Sequence, residues 1–119
     1  MTQLESSDED ERRWAIIDAS LAADPVSVPT LLSLLQRDTY ANRRHIARAL
    51  AKIGGPAAES ALLELLRSEQ GLLLGDAARA VGHLGIASAV DRLGELLEHE
   101  LDWVRSGARE ALRRLGTAP

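Results

Sequence analysis

The chain has 119 residues, 45% of them apolar, with no Phe, one Tyr (Tyr40) and two Trp (Trp14 and Trp103), which confines the core to Leu, Ala, Val and Ile and favours closely spaced helices over a sheet. One domain fits this length, burying about two thirds of the unfolded surface. With no Cys the chain offers no disulfide, thiolate metal site or Cys nucleophile, and a net charge of −4 argues against a general nucleic-acid binder, whose affinity rests on Lys and Arg neutralising phosphates.

Residues 1–8 read as a flexible acidic segment. Residues 1–11 carry five acids (Glu5, Asp8, Glu9, Asp10 and Glu11) and no base. They lack the basic start and apolar stretch of a secretory signal, and no later run offers the roughly 18 uncharged apolar residues that cross a membrane. A soluble protein of a reducing cytoplasm is expected. Ser7-Asp8-Glu9-Asp10 supplies a hydroxyl cap and acids suited to the positive end of a first helix over 9–23. Asp24-Pro25 opens a second over 25–36, because Pro at a first turn lacks only an N–H that has no helical partner anyway. The remaining predicted helices run 40–53, 56–67 (opened by Gly55-Pro56), 71–84, 87–98 and 102–115, with Gly54, Gly85 and Gly116 as left-handed stops.

These elements repeat. Arg43–Gly54, Leu74–Gly85 and Arg105–Gly116 superpose at an offset of 31 residues, which aligns Ile46/Ala77/Ala108, Ala49/Ala80/Ala111, Leu50/Val81/Leu112 and Ile53/Leu84/Leu115. The steps of three, one and three trace one face of a helix. Leu31-Leu32, Leu62-Leu63 and Leu93-Gly94 recur at the same offset. Each unit is therefore a hairpin of helix A and helix B, with repeats at about 9–37, 38–68 and 69–99 and a half repeat at 100–116, forming a single domain over 9–116. Alanine at 49, 80 and 111 lets successive layers approach closely. A lone hairpin cannot bury its leucine face, so stacking must supply the core and the ends should differ from the middle. They do: Asp18 stands where later repeats have Ala, and the last predicted helix carries Arg105, Arg109, Arg113 and Arg114 over a layer with no further partner. Self-association through that open layer, head to tail with the acidic end, is one expectation.

Arg43–Leu66 (RRHIARALAKIGGPAAESALLELL) and Val104–Gly116 (VRSGAREALRRLG) resemble HEAT repeats of the short phycobilisome-lyase type, over about residues 25–116. The resemblance implies an all-α, right-handed α-α superhelix of seven helices, about three and a half hairpins, with B helices lining a concave side. It also implies roles as adaptors, as bilin lyase subunits or chaperone-like factors for chromoproteins, and in some members as metal enzymes. The deoxyhypusine hydroxylases of this kind carry His-Glu pairs after the Val-Arg of helix A. Here those positions hold Ser106-Gly107, Arg44-His45 and Gly75-Asp76, while the one His-Glu dipeptide, His99-Glu100, falls in a turn. No metal, cofactor or catalytic residue is expected. Ser27, Ser33, Ser60, Ser68, Ser88 and Ser106 have no base beside them, and no phosphate-cradling Gly-rich loop is present.

Two surfaces are expected to bind. On the B helices, Ser33/Glu64/Glu95 and Gln36/Arg67/Glu98 form columns which, with Glu59 and Asp91, make the concave face mildly acidic. At the start of the fifth helix, Gly71-Leu72-Leu73-Leu74-Gly75 breaks the pattern: Leu74 replaces the Arg of Arg43 and Arg105, and Leu72 shares a column with Ala41 and Trp103. Successive helical residues point about 100° apart, so the three leucines cannot share one core. Either a local kink buries them, or an apolar ridge of Leu72, Leu74, Trp103 and Tyr40 runs along the A-helix N-termini and offers a contact site. The function expected is a non-enzymatic module binding another protein, with no nucleic acid and no membrane as partner; the alternative is a bilin lyase-like or chaperone-like accessory factor acting on a tetrapyrrole-binding protein.

Overall fold

The computed structural model describes residues 3–117. They form seven α-helices: α1 (Glu9–Ala22), α2 (Val28–Arg37), α3 (Tyr40–Ile53), α4 (Pro56–Ser68), α5 (Gly71–His83), α6 (Val90–Leu96) and α7 (Asp102–Arg114). Short 3₁₀ turns occupy Gln3–Glu5, Pro25–Ser27 and Ala87–Ala89, and no strand occurs among the described residues. Helices α1, α3, α5 and α7 stack as one layer; α2, α4 and α6 pack against it as a second. The result is an all-α solenoid with extents of 46 × 26 × 19 Å.

The leucine columns Leu31/Leu62/Leu93 and Leu34/Leu65/Leu96 of α2, α4 and α6 are buried, as are Ile46, Ala77, Ala108 and the column Ala49/Ala80/Ala111. Two expectations needed correction. The helix predicted over 87–98 is α-helical only from Val90 to Leu96, since the N–H groups of Leu97, Glu98 and His99 reach back three residues, to the carbonyls of Gly94, Glu95 and Leu96. Gly94 stands there in place of Leu32 and Leu63, and the helix tightens to a 3₁₀ end. The acidic segment over 1–8, expected to be flexible, forms a turn over Gln3–Glu5 and packs on α1 from residue 3 onward. Leu4 is buried, the Arg12 guanidinium donates to the Ser6 carbonyl at 3.1 Å, and Asp8, rather than a hydroxyl, caps α1 by accepting from the N–H groups of Asp10 and Glu11. Met1 and Thr2 lie outside the described residues.

The A layer closes most tightly between α5 and α7. A methyl group at Gly82 would lie 2.5 Å from the Cα of Ala111, and one at Gly75 would lie 2.3 Å from Trp103 Cδ1. Beyond α7, Arg109 and Arg113 are exposed at positions which Ala47/Ala78 and Ala51/Gly82 fill in the inner repeats, so the last layer presents arginines outward.

Candidate functional site

Successive repeats are tied by an arginine that recurs with the 31-residue unit. Both nitrogens of one edge of Arg12 reach Asp38, at 2.9 Å each, and Arg43 pairs with Glu69. Both acids stand 26 residues after their arginine. The next pair in register would join residues 74 and 100, but Leu74 has replaced the arginine. That explains the leucine run. Leu74 is only 2% exposed, a correction to the expected ridge, and Leu73 is fully buried; Leu72 alone stays open, at 41%.

The other ridge residues have separate tasks. The Tyr40 hydroxyl accepts from the Leu73 N–H at 2.8 Å and donates to the Gln70 carbonyl at 3.4 Å, which satisfies one of the orphan donors at the start of α5. Trp103 turns away into a polar cluster. Its indole N–H donates to Asp76 Oδ1 at 3.1 Å, and the Arg79 guanidinium lies 3.5 Å from its ring centroid, in cation–π range. Asp76 is buried and also receives Arg44 through Nε at 2.6 Å and Nη2 at 3.2 Å. A buried carboxylate must find such partners. Its position in α5, otherwise the most apolar helix, was the available signal for this cluster.

The cluster forms one end of an open groove of about 280 Å³ crossing α3, α5 and α7. Arg48 and Lys52 enter from α3, Arg79 and His83 from α5, and Glu110 and Arg114 from α7, over a floor that includes Ala51, Ala80 and Trp103. These side chains fall in two repeat columns, Arg48/Arg79/Glu110 and Lys52/His83/Arg114. Four cations line the groove against the carboxylates of Asp76 and Glu110, leaving it at +2 with histidine neutral, in a chain whose net charge is −4. Asp76 is already occupied, and Glu110 divides between Arg79 at 3.4 Å and Arg114 at 3.7 Å. Lys52 has no ion-pair partner among the described residues, and Arg48 reaches Asp76 only at 3.9 Å.

This crowding of cations also affects its neighbours. Burial lowers the pKa of His45, and Arg48, Arg13 and Arg44 lower it further, against the opposing effect of Asp76. Burial likewise lowers that of Arg79, with Glu110 and Asp76 opposing and Arg44 and Arg48 reinforcing. For Arg44 the hydrogen bond to Asp76 outweighs burial and raises the value.

On the opposite layer, Glu64, Arg67, Asp91, Glu95 and Glu98 are exposed and Glu59 is half-buried. Their charge is partly neutralised locally, by Arg67 on Glu64 at 2.6 Å and Arg92 on Glu95 at 3.1 Å. A second depression of about 370 Å³ lies between the ends of α4 and α6, where Arg67, Glu95 and Glu98 surround Leu74. His99 serves the turn before α7, its Nδ1 accepting from the Leu101 N–H at 3.1 Å. Among the described residues no group of three or more His, Asp or Glu side chains could hold a metal ion, and no helix is long and apolar enough to cross a membrane.

Residues 1–74 match the family described as HEAT repeats. The chain belongs to the HEAT-repeat family. Residues 73–99 match the PBS lyase HEAT-like repeat, so both forms of the unit occur along this HEAT-repeat solenoid. Among solved structures, it is similar to a crystal structure of an engineered protein, with a TM-score of 0.69 and 26% identity over 98% of this chain. The chain spans 61% of the length of that protein. No curated protein matches.

Proposed function

We propose that this HEAT-repeat chain is a non-enzymatic interaction module, a small cytoplasmic adaptor that binds another protein through the groove across α3, α5 and α7. The observation that carries the reading is the surplus of exposed cations over an apolar and aromatic floor, a combination that suits a protein contact surface. Rigid hairpins hold these side chains in register at every 31st residue, so little ordering entropy is lost on binding. The acidic B-helix columns and, separately, the exposed Leu72 at the start of α5 are further contact surfaces of the same module. The domain over 9–116 acts as one unit, and Arg109 and Arg113 on α7 offer the outer face for contact between copies. Affinity capture with the wild type and with Arg48→Glu/Lys52→Glu tests the groove: its partner should be lost from the variant, and capture that is indifferent to both substitutions overturns the assignment.

A bilin lyase-like accessory role is the second reading. The groove does place an aromatic ring beside cations able to meet propionates, which the residues alone did not reveal. Its volume of about 280 Å³ lies at the lower edge of the roughly 300–1,000 Å³ typical of small-molecule sites, and this favours the protein partner. A shift in visible absorbance on mixing with a bilin would reverse that order.

A further inference from the structure

The same two columns change character in α1. Where the groove has Arg48/Arg79/Glu110 the first helix has Ile17, and where it has Lys52/His83/Arg114 the first helix has Leu21. Residues 14, 17 and 21 share one helical face, and Trp14 and Leu21 are 65% and 75% exposed. The A-helix face is therefore bipartite, apolar over α1 and cationic over α3 to α7.

Resting on the groove reading above, we infer that the partner of this face is an acidic segment of another protein that carries apolar residues at one end. Its carboxylates meet Arg48, Lys52 and Arg114, and its apolar end covers Ile17 and Leu21. Three features support this occupant. Lys52 has no carboxylate of its own among the described residues, Arg48 reaches only one that Arg44 already holds, and Arg114 shares Glu110 with Arg79 at 3.7 Å, so acidic side chains gain a new ion pair at Lys52 and strengthen weakly partnered ones at Arg48 and Arg114. The apolar patch lies at one end of the cationic columns, which gives the ligand a direction. The span also suits a short peptide: stacked helices lie about 8–10 Å apart, so α1 to α7 covers roughly 25–30 Å, or about eight extended residues. A nucleic acid fits less well, because the groove's surplus is only two charges and phosphate-backbone affinity grows with the number of phosphates neutralised.

The test is fluorescence anisotropy with a labelled Leu-Leu-Gly-Glu-Glu-Asp-Glu-Glu peptide. Controls are the same peptide with Gly for both leucines, its Lys-for-acid counterpart and a labelled oligo-dT. The first peptide should bind, more weakly as salt rises, and Arg48→Glu/Lys52→Glu should weaken it by about tenfold or more while the Lys-rich counterpart gains affinity for that variant. Leu21→Ser should weaken the Leu-Leu peptide and leave the Gly-Gly peptide unchanged. Both cationic positions are exposed, and circular dichroism melts of the variants check that the fold is retained. Binding of the Lys-rich peptide to the wild type, or of oligo-dT as tightly as the acidic peptide, overturns the inference. So does concentration-dependent self-association, by sedimentation, that the same substitutions abolish, since the occupant is then a second copy. If no acidic peptide binds yet Arg48→Glu/Lys52→Glu still loses the captured protein, the groove stands and the acidic partner falls. If capture is untouched, the groove reading itself falls.

Discussion

The first and last contacts of the A layer are built by different physics. Between α1 and α3 the joint is polar: Arg13 donates to the buried Asn42 at 2.8 Å, Asn42 donates to the Glu9 carbonyl at 3.2 Å, and Arg12 grips Asp38. Between α5 and α7 the backbones approach so closely that Gly75 and Gly82 have no room for a methyl group, and nine of the thirteen residues of α5 are buried. The same 31-residue offset thus tolerates a joint built on hydrogen bonds at one end and, at the other, a close-packed one that also carries the Asp76–Trp103 and Arg79–Glu110 contacts. The polar joint accompanies an end that leaves Trp14, Leu21 and Val26 exposed, whereas the packed joint supports the groove. The register sets where helices lie; the residues in each column set how they hold together.

Substitutions can break that contrast. The largest loss should follow Asp76→Ala, which strands Arg44 and the Trp103 indole beside a vacated buried site; removal of one partner of a buried ion pair costs about 3 kcal/mol, to be read from urea unfolding. Gly82→Ala comes next. The added methyl must displace the Ala111 backbone, and overpacking of this kind costs about 2 kcal/mol even though Ala is the better helix former. A neutral outcome would mean that α5 and α7 are not close-packed. Asn42→Leu probes the polar joint: Leu73 and Val104 occupy that column in later repeats, yet the substitution should destabilise by about 1 kcal/mol because Arg13 loses its acceptor. If the variant is as stable as the wild type, the hydrogen bonds are not what holds α1.

The smallest effect should be a pH dependence of the same joint. His45 has its pKa lowered by burial and by Arg48, Arg13 and Arg44, so the unfolded chain binds the proton more readily than the folded one. Stability is then fully present above the unfolded value of about 6.5 and is lost as pH falls below it. Thermal melts between pH 7.5 and 5.5 should show that decline, reduced in His45→Gln.

Much of this fold was legible because helix periodicity and turn punctuation act locally. The apolar columns, Asp24-Pro25, Gly55-Pro56 and the closing glycines placed α1 to α7 within a few residues. The arginine ties were legible in principle, since Arg12/Arg43/Leu74 and Asp38/Glu69/Glu100 are themselves columns, but only a known side-chain path links residues 26 apart. The expected ridge lost Leu74 and Trp103 for the same reason, while Leu72 and Tyr40 stay exposed. Leu74 had an open side in a helical wheel and a covering partner in space, and Trp103 found Asp76 and Arg79 from another repeat.

The sequence by itself determined the 31-residue hairpin, the seven helices and the kinds of residue each column must hold, because those follow from backbone hydrogen bonding and the spacing of apolar side chains along one chain. Only the tertiary structure decided which charges remain free. Asp76 is consumed by Arg44 and Trp103, Glu110 is shared, and Arg48 and Lys52 are left at the surface. Charge pairing depends on distances between repeats, and a chain that is acidic in sum can therefore present a cationic groove.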